Sequence, residues 1–538
     1  MFDKSKVDYS LYLVTDSTML PPGTTLVSQV HAALQNGVTL VQLREKETDT
    51  KVFVQQALQV QKLCREFNVP LIINDRVDVA LAIEADGVHV GQGDMPIPMV
   101  RQLLGPDKII GWSVGYEHEV QQLADMGPQA VDYVGLGMVF PTNTKKNPKK
   151  TPMGPRGVSK LLDALQNTKA TWCRTVAIGG LHPNNIPRVL YQMCSEDGKR
   201  SVDGISVVSD IMASPQAGEA TRRLRNLIDA ECYSFVDGVG TNVEACTSTV
   251  DEACIESTKL NSPLIHHITN KVHQNFGANV ALALGSSPIM SEVEPEFVEL
   301  SQVPHATLLL NTGSVAPLET LSSAVRAYNT AQRPIVLDPV GFSATSTRLE
   351  LNSYLLAQGQ FACIKGNAGE ILSLADMNLG KMRGVDSGDA GSDISIIVAA
   401  TRLVAFRYRC VAVCTGKIDV VANGLNLGKF KLSNGCAMVP SQLPAYKVEC
   451  GDIAVMEKIT ASGCSLGTTI ACLVGGITDQ QNVFSAVLTA VRLYKSAGYA
   501  AASACEGSGS FQVKLIDALD SLLTKNQPSL WKATVSSI

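Results

Sequence analysis

Leu71-Ile72-Ile73-Asn74-Asp75 is an apolar run that stops on an amide and a carboxylate. Shortly after it, Asp86-Gly87-Val88-His89-Val90-Gly91-Gln92-Gly93-Asp94 rises through a second short run and ends on another acid. Hydrophobic runs that close on Asn, Asp or Gly mark a parallel α/β sheet where its C-terminal edge meets a polar pocket. Two carboxylates at neighbouring strand ends suit Mg²⁺, a hard cation held by one or two carboxylates together with substrate phosphates. A metal–diphosphate site on Asp75 and Asp94 is the first expectation.

Working outward from this pair, residues 9–230 alternate short β-rich runs with amphipathic stretches. Eight runs are present: Leu11–Thr15, Leu40–Arg44, Leu71–Asn74, Gly87–Val90, Ile109–Ser113, Tyr133–Leu136, Thr175–Ile178 and Gly204–Val207. Stretches between them, such as Lys51–Phe67 and Glu117–Met126, carry apolar residues at helical spacing. A doubly wound sheet would also alternate. Eight units ending on polar pairs favour a TIM (β/α)8 barrel, which gathers its working groups at the strand C-termini.

Residues 231–261 are rich in Gly, Thr, Ser, Cys and acids without an apolar period, and read as an interdomain connection. From Ser262 onward the style changes. Short strands are expected at Ala306–Leu310, Pro334–Leu337, Phe361–Ile364, Cys410–Val413 and Val420–Ala422. Ala- and Gly-rich helices lie between them, as in Gly277–Leu284 and Gly467–Val474. This describes an open, layered α/β domain over 262–538, with Gly380–Asp393 as an exposed excursion.

Composition narrows the class. A chain of 538 residues exceeds one ordinary core. Hydrophobic residues at 45% and charged ones at 18% are those of a globular protein. A net charge of -5 without a basic stripe argues against nucleic acid as a partner. No apolar stretch is long enough to span a bilayer, so no membrane partner is expected. The opening Met1–Asp8 lacks the features of a signal or transit peptide, and the fourteen cysteines are scattered with no CxxC pair. Buried free thiols in a reducing cytoplasm are the expectation.

Two phosphate sites can be read in the first domain. The run Gln42-Leu43-Arg44-Glu45-Lys46 sets two cations about an acid at the pocket rim, where they could clamp a diphosphate whose Mg²⁺ rests on Asp75 and Asp94. A surface salt-bridge cluster is the equally simple alternative. Phe140-Pro141-Thr142-Asn143-Thr144-Lys145-Lys146 opens a loop of hydroxyls and lysines that would suit an anion, or is only a solvated basic loop. Gly179-Gly180 and Val208-Ser209 close the last two runs, where a barrel commonly builds a phosphate site.

Taken as an ordered set, Gln42–Lys46, Asn74-Asp75, Asp94, Gly111-Trp112-Ser113, Thr142–Lys145, Gly179-Gly180 and Val208-Ser209 resemble thiamin phosphate synthase over almost all of residues 9–230. The resemblance implies that a hydroxymethylpyrimidine diphosphate binds Gln42, Leu43, Arg44, Glu45, Lys46, Asn74, Ser113 and Lys145. It implies Mg²⁺ on Asp75 and Asp94, and thiazole phosphate on Thr142, Asn143, Thr144, Gly180, Val208 and Ser209. The family commonly carries a second acid after the metal Asp, and here that position is Arg76.

In the second domain, Thr460-Ala461-Ser462-Gly463-Cys464-Ser465-Leu466-Gly467 leads into a helix whose N-terminal N–H groups could face a transferring phosphate. Cys464 in that turn is expected to feel the helix dipole, which favours thiolate character. A tight turn with a packed Cys is the plainer reading. Asp338-Pro339-Val340-Gly341 and Lys365-Gly366-Asn367-Ala368-Gly369-Glu370 close two strands. Asn367 and Glu370, three apart, could reach hydrated Mg²⁺ from one side of a helix turn, or Asn367 could simply cap that helix. Thr415 supplies a hydroxyl at the same edge, and no Walker A sequence is present.

These residues, with Pro263–Asn270, Asn275-Phe276 and Ala283–Met290, resemble hydroxyethylthiazole kinase on a ribokinase-like fold over about 262–525. The resemblance implies thiazole alcohol contact by Met290 and Ala461, ATP contacts by Lys365 and Thr415, and Mg²⁺ near Asn367 and Glu370. It places Cys464 as the base that meets the substrate hydroxyl. Lys365 stands for a frequent Arg and Ala461 for a usual Gly. Kinases of this family are trimers, which implies a homo-oligomer built on the kinase domain. Other readings keep the folds with different substrates, such as a barrel isomerase fused to a sugar or hydroxymethylpyrimidine kinase, or a binding protein without turnover.

Overall fold

The computed structural model describes residues 2–142, 144, 151–230, 248–314, 316–377, 393–425, 430–436, 438–477 and 483–538. The chain divides into two compact units, one of Met1–Glu231 with Lys429–Ala437, the other of Cys232–Gly428 with Met438–Ile538.

The first unit is a closed parallel barrel of β1 (Leu11–Val14), β2 (Leu40–Leu43), β3 (Leu71–Asn74), β4 (Gly87–Val90), β5 (Ile109–Val114), β6 (Tyr133–Gly137), β7 (Arg174–Ile178) and β8 (Gly204–Val207). Each expected run is a strand, within two residues at its ends. Tyr12, Leu40, Ile72, Ile109, Tyr133 and Val176 pack together with Tyr9. The neighbouring positions along each strand face the surrounding helices, because side chains alternate. Helices arise where the periodicity placed them, at Thr50–Glu66 and Glu117–Met126 among others.

The second unit holds a nine-stranded sheet. Its strands are β9 (Leu264–Ile268), β10 (Ser287–Met290), β11 (Thr307–Asn311), β12 (Ile335–Asp338), β13 (Cys363–Asn367), β14 (Val411–Thr415) and β15 (Asp419–Asn423), followed, after the small hairpin β16 (Phe430–Lys431) and β17 (Gly435–Cys436), by β18 (Ala445–Glu449) and β19 (Thr534–Ser537). The order is β10-β9-β11-β12-β13-β14-β15-β18-β19. Neighbours from β10 to β14 run parallel, and the last three strands alternate in direction, each antiparallel to the one before it. Asn311, Asp338, Asn367 and Thr415 therefore end parallel strands at one edge of the sheet, where open α/β sheets bind ligands.

One reading needs correction. The segment 231–261, taken as a connection, is a helix in its second part, Ser248–Asn261, with Asp251, Cys254, Ile255 and Thr258 buried. Its inner face is half polar, so no apolar period shows. Asp251 is satisfied there by the Thr489 hydroxyl at 2.6 Å and by the Arg492 guanidinium. Residues 231–247, and the excursion at Gly380–Asp393 apart from its last residue, lie outside the described residues.

Candidate active sites

Strand alternation carries Gln42, Asn74 and Ser113 to the same face as Leu40, Ile72 and Ile109, and His89 lies opposite Asn74 in the ladder. Asp75, just past β3, takes a left-handed backbone at φ +59° and donates its N–H to the His89 carbonyl at 2.8 Å. Its carboxyl comes within hydrogen-bonding reach of Asp94, and Lys46 Nζ lies 3.4 Å from Oδ2. Burial and then Asp94 hold Asp75 above the usual carboxylate range, opposed by Lys46. Asp94 is fixed by the Gly91 N–H at 2.8 Å.

Two carboxylates in contact repel unless a proton or cation relieves them. An all-oxygen pair suits Mg²⁺ completed by water and phosphate oxygens. Among the described residues no group of three or more His, Cys, Asp and Glu gathers to hold a metal by protein ligands alone.

The Gln42–Lys46 segment divides by role. Leu43 is wholly buried in the barrel wall and offers no side chain to a ligand. Arg44 reaches Asp16 at 3.2 Å, while Glu45 accepts from the Thr15 hydroxyl at 2.8 Å and the Ser17 N–H at 3.1 Å. These two tie the turn after β2 to the turn after β1. Lys46 is the cation of this run that meets the acidic pair.

At the loops after β6 and β7, Thr144 N–H donates to the Thr142 hydroxyl at 3.2 Å, and Phe140 N–H donates to the Gly179 carbonyl at 2.9 Å. Gly180 has φ +64°, and a Cβ there would lie 2.6 Å from Phe140 Cβ. Only glycine lets the two loops meet. Val208 precedes the short helix Ser209–Met212 and accepts the Met212 N–H at 2.9 Å. Asn143 and Lys145 lie outside the described residues.

In the second unit, Cys464 sits in the first turn of the helix Ser462–Gly476, with Ala461 before it in left-handed backbone at φ +63°. Asn270 and Asn311 donate to its sulfur at 3.3 and 3.2 Å. Asn311 also donates to Asp338 at 2.7 Å, and Lys365 Nζ lies 3.1 Å from the other Asp338 oxygen. The thiolate expectation is reversed here. Burial, and then the Asp338 charge, push the Cys464 thiol up to about 11, and Lys365 and the two amides offset this only in part.

Lys365 is almost wholly buried, so its charge serves Asp338 and the helix start directly. A Cβ on Gly463 would lie 3.9 Å from its Nζ. Asn367 and Glu370 form a reciprocal helix cap. The Asn367 Oδ1 accepts the Glu370 N–H at 2.9 Å, and Glu370 accepts the N–H groups of Asn367 and Gly341 at 2.8 and 2.7 Å. Burial and then Asp338 raise Glu370 to about 7. The Thr415 hydroxyl donates to the Gly366 carbonyl at 3.3 Å, and Met290 ends the terminal strand β10, half-buried.

Residues outside the sequence-derived set complete both sites. Tyr12, His89 and Tyr133 were legible only as polar aromatics inside otherwise apolar strands. Asn311 ends its strand on Asn, the same signal that marked Asn74, and Asp338, read from the sequence as a strand end without a role, meets it there.

A closed barrel with an acidic pair at its strand ends, joined to an open α/β sheet with a buried lysine near a helix start, defines a two-site transferase of the phosphate-handling kind. The hydroxyethylthiazole kinase family matches residues 255–525, and thiamine monophosphate synthase matches 11–211. The chain is 62% identical over 536 residues to the thiamine biosynthetic bifunctional enzyme of Saccharomyces cerevisiae, covering 99% of each. It is 44% identical over 221 residues to the thiamine-phosphate synthase of Desulfitobacterium hafniense, covering 41% of this chain and 98% of that one. The chain belongs to the bifunctional thiamine biosynthetic enzymes, with a thiamine-phosphate synthase domain and a hydroxyethylthiazole kinase domain.

Proposed function

We propose that the second domain transfers the γ-phosphoryl group of ATP to the hydroxyl of 4-methyl-5-(2-hydroxyethyl)thiazole, and that the barrel joins the resulting phosphate to 4-amino-2-methyl-5-hydroxymethylpyrimidine diphosphate. The products are thiamin phosphate and pyrophosphate. The convergence of Asp75 and Asp94 beside Lys46 carries this reading, because it builds a place for a departing diphosphate.

In the barrel, the bond from the pyrimidine methylene carbon to the diphosphate oxygen breaks with its electron pair on oxygen. The thiazole nitrogen then gives its lone pair to that carbon. Lys46 holds positive charge where negative charge accumulates on the leaving group. Asp75 and Asp94 would hold Mg²⁺, which neutralises diphosphate charge when bound. Gln42, Asn74 and Ser113 orient the pyrimidine, while Thr142, Thr144, Gly180, Val208 and Ser209 seat the thiazole phosphate.

In the kinase, the N–H groups at the start of Ser462–Gly476 and the Lys365 charge beneath them stabilise the phosphoryl group in flight. Cys464 meets the substrate hydroxyl. The Cys464 thiol interacts with the Asp338 carboxylate, which would take the thiol proton as the substrate hydroxyl proton passes to sulfur. Such a transfer is late, and positioning carries most of the rate. Asn367 and Glu370, engaged in their cap, would bear on Mg²⁺ and ATP through their remaining lone pairs, with Thr415 at the nucleotide edge. Met290 ends the edge strand of the sheet, and Val272, Val293 and Val298 are exposed nearby in sequence, which supports a homo-oligomer formed through this side of the kinase.

The test is incubation with ATP, Mg²⁺, the thiazole alcohol and the pyrimidine diphosphate, with products identified by mass. Wild type is expected to yield thiamin phosphate. Asp75→Ala should stop at thiazole phosphate, with coupling down by about two to three orders of magnitude, on the scale of lost charge stabilisation at one centre. Coupling at the native rate by Asp75→Ala under saturating Mg²⁺ would refute the assignment.

A further inference from the structure

The barrel interior holds a continuous polar row that the metal–diphosphate site does not use. Gln42 Nε2 donates to the Tyr12 hydroxyl at 2.8 Å, and the Tyr12 and Tyr133 hydroxyls lie 2.7 Å apart. The Tyr133 hydroxyl lies 3.0 Å from His89 Nδ1, and His89 Nε2 lies 2.9 Å from Ser113 Oγ. Both tyrosines are buried. Strand register makes the row: His89, Gly111 and Tyr133 stand opposite one another on β4, β5 and β6. A Cβ on Gly111 would fall 2.4 Å from the Tyr133 hydroxyl and 2.5 Å from His89 Nδ1. The glycine leaves the space in which those two groups meet.

Proton counting gives the row a direction. Each hydroxyl and the neutral imidazole have one hydrogen to give. Gln42 Nε2 gives to Tyr12, and with every buried hydrogen of the row paired within it, Tyr12 gives to Tyr133 and Tyr133 to His89 Nδ1. The imidazole hydrogen then sits on Nε2 and goes to Ser113 Oγ, which leaves the Ser113 hydroxyl free to donate into the pocket. At the other end Gln42 Oε1, with no donor among the described residues, remains an acceptor. The other fully paired order is the reverse, with the Gln42 amide turned, the Ser113 hydroxyl donating to His89 Nε2 and only its oxygen left to accept from the pocket. The two ends change together or not at all.

We infer that Tyr12, Tyr133 and His89 are positioning residues that hold Gln42 as an acceptor and Ser113 as a donor, and thereby set the synthase's preference for an aminopyrimidine over its 4-oxo counterpart. This rests on the proposed seating of the pyrimidine diphosphate at Gln42 and Ser113. An exocyclic amino group gives its hydrogen to Gln42 Oε1, whereas an oxo group there sets two acceptors against each other. A polar site left mispaired in this way rejects the wrong ligand strongly.

The experiment measures steady-state synthase kinetics of the full chain on the aminopyrimidine diphosphate and its 4-oxo analogue. It compares wild type, Tyr133→Phe, Tyr12→Phe and Tyr9→Phe. Tyr9 packs on Tyr133 with ring centroids 5.2 Å apart but takes no part in the row. Wild type is expected to favour the amino substrate by about 100-fold or more. Tyr133→Phe and Tyr12→Phe should each cut that ratio by at least about tenfold, mainly through KM, with kinase turnover in the same molecules unchanged. Tyr9→Phe should keep the wild-type ratio. If one cut variant fails to fold, the other decides. A wild-type ratio in both cut variants overturns the positioning role alone. No product from wild type with the aminopyrimidine diphosphate overturns the seating and, with it, this inference.

Discussion

At Cys464 two effects oppose each other. A place in the first turn of a helix favours the thiolate, while burial beside the Asp338 carboxylate disfavours it, and the thiol stands at about 11. The second effect wins because desolvation acts on the whole charge and the dipole supplies only a fraction of one. Below that value the thiolate fraction rises tenfold per pH unit. Alkylation of Cys464 by iodoacetamide, followed by peptide mass mapping, should therefore climb from pH 7 to pH 10 without levelling. A plateau near pH 7 would mean that the helix start prevails and that Cys464 is a preformed base. The same reasoning explains why sequence alone misjudged this residue. The dipole belongs to the local turn and is legible there, whereas Asp338 and Asn311 arrive from distant strands.

At the scale of elements, the helix Ser462–Gly476 begins on a strained residue. Ala461 has φ +63°, a conformation that costs a non-glycine residue about 1–2 kcal/mol. Ala461→Gly removes that strain but adds freedom to the unfolded chain, at about 0.5–1 kcal/mol. The net expectation is a gain of up to about 1.5 kcal/mol, read as a higher temperature for half-loss of kinase activity on heating. A lower temperature would show that the Ala461 methyl group packs to advantage. Elements of this kind were legible to different degrees. The barrel strands were readable because each is an apolar run ending on polar residues. In the second unit β9, β10, β18 and β19 were not identified as strands: β9 carries His266 and His267, buried and hydrogen-bonded to Ser291 and Thr468, and β19 is largely exposed. The acidic pair at Asp75 and Asp94 was visible as two strand ends, but the interior row was not, because its members join only through cross-strand register.

At the scale of the whole molecule, the barrel unit includes residues 429–437, about two hundred positions beyond its last strand in sequence. The β16–β17 hairpin is joined there by the Ser433 N–H to the Val202 carbonyl at 3.1 Å and the Cys436 N–H to the Gly198 carbonyl at 2.7 Å. The Ser433 hydroxyl adds a hydrogen bond to Asp203 at 2.8 Å, just before β8. Gly435 makes this approach possible. It has φ +74°, and a Cβ would lie 2.0 Å from the Gly198 carbonyl oxygen and 2.6 Å from the Lys199 carbonyl carbon. Backbone cannot yield as a flexible side chain does, so Gly435→Ala must displace the hairpin, releasing these bonds in addition to the left-handed strain. A loss of about 2–4 kcal/mol is expected, the range for overpacking combined with broken polar contacts. Because the two activities report on different units, heat inactivation separates the outcomes. Gly435→Ala should shorten the half-life of synthase activity several-fold while kinase activity in the same sample decays as in wild type. Equal decay of both activities at wild-type rates would show that the barrel stands without the hairpin, and preferential loss of kinase activity would place the hairpin's contribution in the unit from which its sequence departs.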